Sequence, residues 1–105
     1  MSAMQRRKGK VGELELCQAL AVLGHDAYRT APMQAGGVGW GDIAVPSMPS
    51  LHFEVKRQER LMIPQWVRQA EADASMGRIP VVAFRQSREP WRVVLRLDHF
   101  VELVA

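Results

Sequence analysis

"GWGDIAVPSMPSLHFEVKR", residues 39–57, is read as two strands joined by a proline-bracketed turn, and it carries three charges among residues suited to a core. "WGDIAV" (40–45) and "LHFEVK" (51–56) are rich in Ile, Val, Leu and Phe and flank the turn "PSMPS". Successive strand residues point to opposite faces. Leu51, Phe53 and Val55 therefore share one face and His52, Glu54 and Lys56 the other, while Ile43 and Val45 oppose Asp42. A simple antiparallel hairpin pairs Val45 with Leu51, Ile43 with Phe53 and Asp42 with Glu54. All three charges then lie on one face. Directly opposed side chains have Cβ atoms about 4.5–5.5 Å apart, where like charges destabilise a sheet. A bound cation, a raised carboxyl pKa or the neighbouring Lys56 could offset that repulsion. Mg²⁺ suits such a pair, since it takes one or two carboxylates and keeps waters and substrate phosphate as its other ligands. An exposed face with an Asp–Lys–Glu ion network is the competing reading.

Outward from this hairpin, residues 5–23 read as a helix with Leu16, Leu20 and Leu23 at helical spacing and Gly24 as its stop. "HDAYRT" (25–30) reads as a short strand and "APMQAGGVG" (31–39) as a loop. Pro64 opens a second helix running to about Met76, with Val67, Ala70 and Ala74 inward and Gly77 as its end. "IPVVAFR" (79–85) is the apolar run of a central strand. "WRVVLRL" (91–97) alternates, placing Trp91, Val93, Leu95 and Leu97 inward, and Asp98 caps a closing helix. The order α-β-β-β-α-β-β-α predicts an α/β fold around a mixed central sheet flanked by helices.

The 105 residues are expected to form one domain, 1–105, with a basic segment over 1–10. A composition of 48% hydrophobic and 24% charged residues excludes a disordered chain. No apolar run approaches the length of a membrane span and no signal-peptide core follows the basic start. The lone Cys17 excludes an internal disulfide, and a reducing cytoplasm is the expected location. Arginines outnumber lysines 11 to 3 within a net charge of +3. Arg6, Arg7, Lys8 and Lys10 crowd the N-terminus, and Arg78, Arg85, Arg88, Arg92 and Arg96 line the last third. Arginine's planar fork suits phosphate, so this distribution fits either a nucleic-acid partner or a solvated basic surface.

Glu13 lies three residues before Leu16 and seven before Leu20, on the stripe of the buried leucines. It is either a third acid converging with Asp42 and Glu54, or a first-turn glutamate favoured by the helix dipole. His25, His52 and His99 have no metal-ligand spacing, although His52 shares the face of Glu54. No Walker loop, zinc pattern or serine triad is present.

Asp42, eleven intervening residues and then Glu54-Val55-Lys56 resemble the PD-(D/E)xK nuclease signature, with Gly41 in the place of its proline. "GKVGELELCQAL" (9–20) resembles the first helix of archaeal-type Holliday junction resolvases, in which an early glutamate joins the site. "FEVKRQERLMIPQWVRQAEADA" (53–74) resembles the core of small phage-type endonucleases, where a glutamine on the following helix supports the site. The resemblance covers nearly the whole chain and implies a restriction-endonuclease-like αβββαβ core. It further implies a Mg²⁺-dependent endodeoxyribonuclease, with Mn²⁺ able to substitute. Asp42, Glu54 and the carbonyl of Val55 would hold the metal, and Glu13 would bind a second ion or order a water. Lys56 would position the attacking water and stabilise the transition state, with Gln69, ahead of Gln65, orienting it. Lys10, Arg57, Arg60, the N-terminal basic cluster and Gly37 of the loop "QAGGVGWG" are the expected DNA contacts. Branched DNA is the expected substrate and a homodimer the expected assembly, with the apolar alternation of 91–97 and the closing "HFVELVA" (99–105) as either its surface or core. A nuclease acting on nicked, flapped or linear DNA and a non-catalytic nucleic-acid-binding module are the alternatives.

Overall fold

The computed structural model describes residues 3–31, 39–75 and 77–105, with side chains from Gly9 onward. Its elements run α1 (Ala3–Val22), β1 (Tyr28–Arg29), β2 (Ile43–Ala44), β3 (Leu51–Arg57), α2 (Ile63–Asp73), β4 (Ile79–Arg85), β5 (Arg92–Val94) and α3 (Leu97–Val104). The five strands form one sheet in the order β1-β2-β3-β4-β5. Only β3 and β4 are parallel, in register from Leu51 with Ile79 to Arg57 with Arg85. A parallel pair needs a long crossover, and α2 supplies it. The other pairings are antiparallel, so the sheet is mixed as expected.

Two apolar layers sandwich the sheet. On one face Leu16 of α1, with Cys17 and Leu20, packs on Ile43, Val45, Phe53, Ile79, Val81 and Ala83. On the other, Trp66 and Ala70 of α2 meet Val82 and Phe84, with the Trp66 and Phe84 rings 5.9 Å apart. Strand β4 is therefore apolar from Ile79 to Phe84 because helices cover both its faces. Gly12 lets α1 close on the sheet: a Cβ there would lie 2.8 Å from the Cβ of Arg57. Glu15, one turn along, bridges Arg57 of β3 and Arg85 of β4 and clasps α1 to the central parallel pair.

Several expectations are corrected at the edges. Ile43 does face Phe53, but β2 covers only two residues, and the pairing of Val45 with Leu51 gives way to a tight turn in which Met48 N–H donates to the Val45 carbonyl. Helix α2 ends at Asp73, before Gly77, because Ala74 is already extended. Strand β5 is short and lies at the sheet edge, beyond the strands that α1 covers. Trp91 and Leu95 reach the core from its ends, whereas Val93 is 58% and Leu97 77% exposed. Arg96, not Asp98, occupies the cap position of α3, and Asp98 folds back onto it in an ion pair. No residue of α3 is buried.

Candidate active site

The chain doubles back at Gly41, which the fold requires to be glycine. Its φ is +91°, and a Cβ would fall 2.2 Å from the Phe53 carbonyl oxygen. Phe53 N–H donates to the Trp40 carbonyl, and Asp42 N–H donates to the Phe53 carbonyl, at 2.9 and 2.7 Å. Thr30, buried at the end of β1, holds the other side: its hydroxyl donates to the Gly41 carbonyl at 2.5 Å and its N–H to the Asp42 carbonyl at 3.1 Å. Asp42 is thus fixed through the main chain, and its side chain turns toward β3.

There it replaces a missing ladder partner. The Val55 N–H donates to Asp42 Oδ2 at 2.8 Å. In an extended strand the N–H and C=O of one residue point to the same side, so the Val55 carbonyl is directed to the Asp42 side as well. Glu54 is buried on the strand face turned toward α2, where it pairs across the ladder with Val82. Burial, and then the charge of Glu54, push the Asp42 carboxyl up to about 7, although the Val55 amide pulls the other way. Glu54 moves in the opposite direction. Burial would raise it, but the hydrogen bond and charge of His52, with Asp42 and Lys56, hold it below the usual carboxylate range. On the acid side of about pH 7 Asp42 therefore holds a proton, as expected of two carboxylates crowded into one site. His52 itself is lifted above its ordinary value: burial lowers it, but the Glu54 carboxylate outweighs that.

The donors fit a hard divalent cation. Among the described residues no three acidic, histidine or cysteine side chains stand close enough to hold an ion by themselves. Two carboxylates beside a main-chain carbonyl, with room left for waters, are nonetheless a set that Mg²⁺ accepts. Glu13 is near enough for its charge to act on Asp42, yet its carboxylate is engaged by Arg29 Nε at 2.8 Å. That pairing, 16 residues apart in the chain, leaves the two-carboxylate set without a free third acid. Lys56 extends past Glu54 on the same face, and its Nζ lies 3.5 Å from the Gln69 Oε1 of α2. Gln69 rather than Gln65 is the glutamine that meets the lysine.

The expected phosphate contacts divide. Lys10 and Arg60 are exposed. Arg57 is committed to Glu15 and Glu59, each at 3.2 Å, so it is a clasp in the fold and not a free cation. Arg78 stacks over Trp40 at 3.9 Å, Arg85 binds Glu15, and Arg92 and Arg96 bridge Glu89, Glu71 and Asp98. The C-terminal arginine row is therefore largely neutralised. Arg6, Arg7 and Lys8 lie on the first turns of α1 with their side chains outside the described residues, as is Gly37 entirely. Thr30 carries no signal in sequence, and His52 carries none beyond sharing the strand face of Glu54.

A mixed sheet with a helix on either face, and Asp42, Glu54 and Lys56 gathered on β3 and the chain beside it, define a nuclease of the PD-(D/E)xK class. The comparisons make this specific. The chain belongs to the family described as "phage putative PDDEXK endonuclease", whose profile matches residues 4–104. Among solved structures it is similar to Hjc, a Holliday junction resolvase of the archaeal hyperthermophile Archaeoglobus fulgidus. That likeness has 27% identity and a TM-score of 0.56, covering 84% of this chain and 72% of the other. No curated protein matches the chain. No helix among the described residues is long and apolar enough to cross a membrane.

Proposed function

We propose that this protein is a Mg²⁺-dependent DNA endonuclease selective for branched DNA, cutting as a homodimer. The observation that carries the reading is the pair of crowded carboxylates, Asp42 held on the Val55 amide and Glu54 beside it, with Lys56 next on the same strand face. A protein that only bound phosphate would gain nothing from two acids that repel it. Asp42, Glu54 and the Val55 carbonyl would hold Mg²⁺, or Mn²⁺ in its place, and Glu13 would join only on leaving Arg29. A metal held there supplies a bound water of lowered pKa and neutralises charge on the scissile phosphate. Lys56 contributes a positive charge at the attacked phosphate, and Gln69 restrains it through its side-chain oxygen. The basic start of α1, Lys10 and Arg60 contact phosphates without reading sequence.

Selectivity for a junction rests on the likeness to Hjc, whose printed description is a Holliday junction resolvase. Dimerisation is supported by the C-terminal end of the fold. Among the described residues strand β5 pairs only with β4 and forms a sheet edge with Val93 exposed, and the exposed Leu97, Phe100, Val101 and Val104 recur on α3 at helical spacing. One domain spanning 1–105 would then bring a single site to each of two strands, in a reducing cytoplasm. The phage family description supports a second reading, a nuclease acting on nicked, flapped or linear DNA.

Cleavage of an end-labelled four-way junction beside a matched linear duplex, in Mg²⁺ and with Lys56→Ala as control, tests both. Paired symmetric cuts confined to the junction and lost in the variant are expected. Equal cutting of both substrates would leave the nuclease and remove the junction selectivity. Salt-sensitive binding without any cutting would remove the enzyme.

A further inference from the structure

His52 sits two residues before Glu54 on the same strand face and is 3% exposed. An imidazole that far from water needs partners for both its nitrogens. Both partners are acceptor oxygens of the site, so a neutral ring donates to one of them only. Nε2 lies 2.9 Å from Glu54 Oε1, and Nδ1 lies 3.3 Å from the carbonyl of Gly39, the residue leading into the Trp40–Asp42 bend. The Ser75 hydroxyl, from the segment after α2, reaches that same carbonyl at 3.4 Å. The ring therefore spans the gap between the two chain segments that deliver the carboxylates.

We infer that His52 is a positioning residue whose Nε2 holds the Glu54 carboxylate, so that the two acids keep their spacing before an ion arrives. This rests on the reading of Asp42 and Glu54 as metal ligands. The physical need is plain. Glutamate has three rotatable side-chain bonds, and an untethered Glu54 would swing away from Asp42 to relieve their repulsion. Binding a cation would then have to restore both the order and the crowding. Groups hydrogen-bonded to ligating carboxylates typically change metal affinity about 10–100-fold when removed.

The test compares Mn²⁺ binding, by calorimetry or electron paramagnetic resonance, in the full chain and in His52→Gln, His52→Asn and His52→Phe. The glutamine amide reaches the Nε2 position and keeps the Glu54 contact. The asparagine amide reaches the Nδ1 position and keeps only Gly39. Mn²⁺ affinity about 10-fold weaker in the Asn and Phe variants is expected, with Gln close to the parent. The Mg²⁺ concentration for half-maximal cleavage should rise by the same factor, and saturating Mg²⁺ should recover the rate. Thermal melting checks that each variant folds, and the Gln–Asn comparison stands even where Phe does not. Unchanged Mn²⁺ affinity in the Asn variant, or equal loss in Gln and Asn, would overturn the tether. If the parent binds no Mn²⁺, or Glu54→Gln binds it undiminished, the metal reading falls and this inference with it.

Discussion

At the scale of single residues, the site is organised by a carboxylate doing the work of a backbone. Asp42 completes the hydrogen bonding of Val55 and accepts a proton because burial, and then the charge of Glu54, penalise its ionised form. Its pKa in the fold, about 7, lies above the ordinary 3.8, so the folded state binds this proton more tightly than the unfolded chain. The stabilisation is complete below about pH 4 and is lost as pH rises through about 7. His52, also raised, acts with the same sign, and Glu54, lowered, opposes both only as the solution becomes acidic. Metal-free protein should therefore melt at lower temperature at pH 8 than at pH 5.5. Asp42→Asn keeps an oxygen for the Val55 amide and removes the repelling charge. The metal-free variant should gain roughly 1 kcal/mol over the parent at pH 8 and little at pH 5, with cleavage abolished. Loss of stability at both values in denaturant titrations would instead mark Asp42 as part of a structural ion network. That Asp42, Glu54 and Lys56 lie close together is legible from alternation and spacing, whereas their reading as a catalytic set comes from the family resemblance. The capture of Glu13 by Arg29 and of Arg57 by Glu15 is not legible, since these contacts join positions far apart in the chain and each residue locally resembles a free surface charge.

At the scale of elements, the long pieces follow from periodicity and the short ones from their neighbours. Strands β3 and β4 match their expected bounds nearly to the residue because each buries a complete face, whereas α2 stops about one turn short of Met76. Strand β2 shrank to two residues because the Gly41 bend and the Pro46 turn take its ends. Strand β5 alternates as an inward strand should, but only Val94 packs toward Trp66 and Ala70 of α2, and Val93 and Leu97 stay exposed. Two substitutions test how these pieces are joined. Gly41→Ala places a methyl group against the Phe53 carbonyl in a backbone conformation that L residues avoid. It should cost at least about 2 kcal/mol and disperse the site, read by thermal melting and loss of Mn²⁺ binding. Glu15→Gln releases the clasp of α1 on Arg57 and Arg85, leaving the half-buried Arg85 without a carboxylate and Arg57 with Glu59 alone. A loss of about 1–2 kcal/mol is expected, diminishing in high salt.

At the scale of the whole molecule, one end of the fold is finished and the other is not. The sheet is sealed by α1 and α2, while α3 stands beyond it, tied by the Arg96–Glu71 bridge and showing Leu97, Phe100, Val101 and Val104 to solvent. Phe100→Glu with Val101→Lys should shift sedimentation toward a monomer and leave the melting of the sheet nearly unchanged. Loss of paired cutting with retained single-strand nicking would follow if the dimer is what aligns two sites. An eight-residue helix without a core to lie on falls below the roughly 12–15 residues that hold a helix in water. Its order must then be lent by whatever lies against it. The far-ultraviolet circular dichroism of the intact protein should consequently deepen on concentration, and amide exchange across 97–104 should slow in step, while the strands report no change at all.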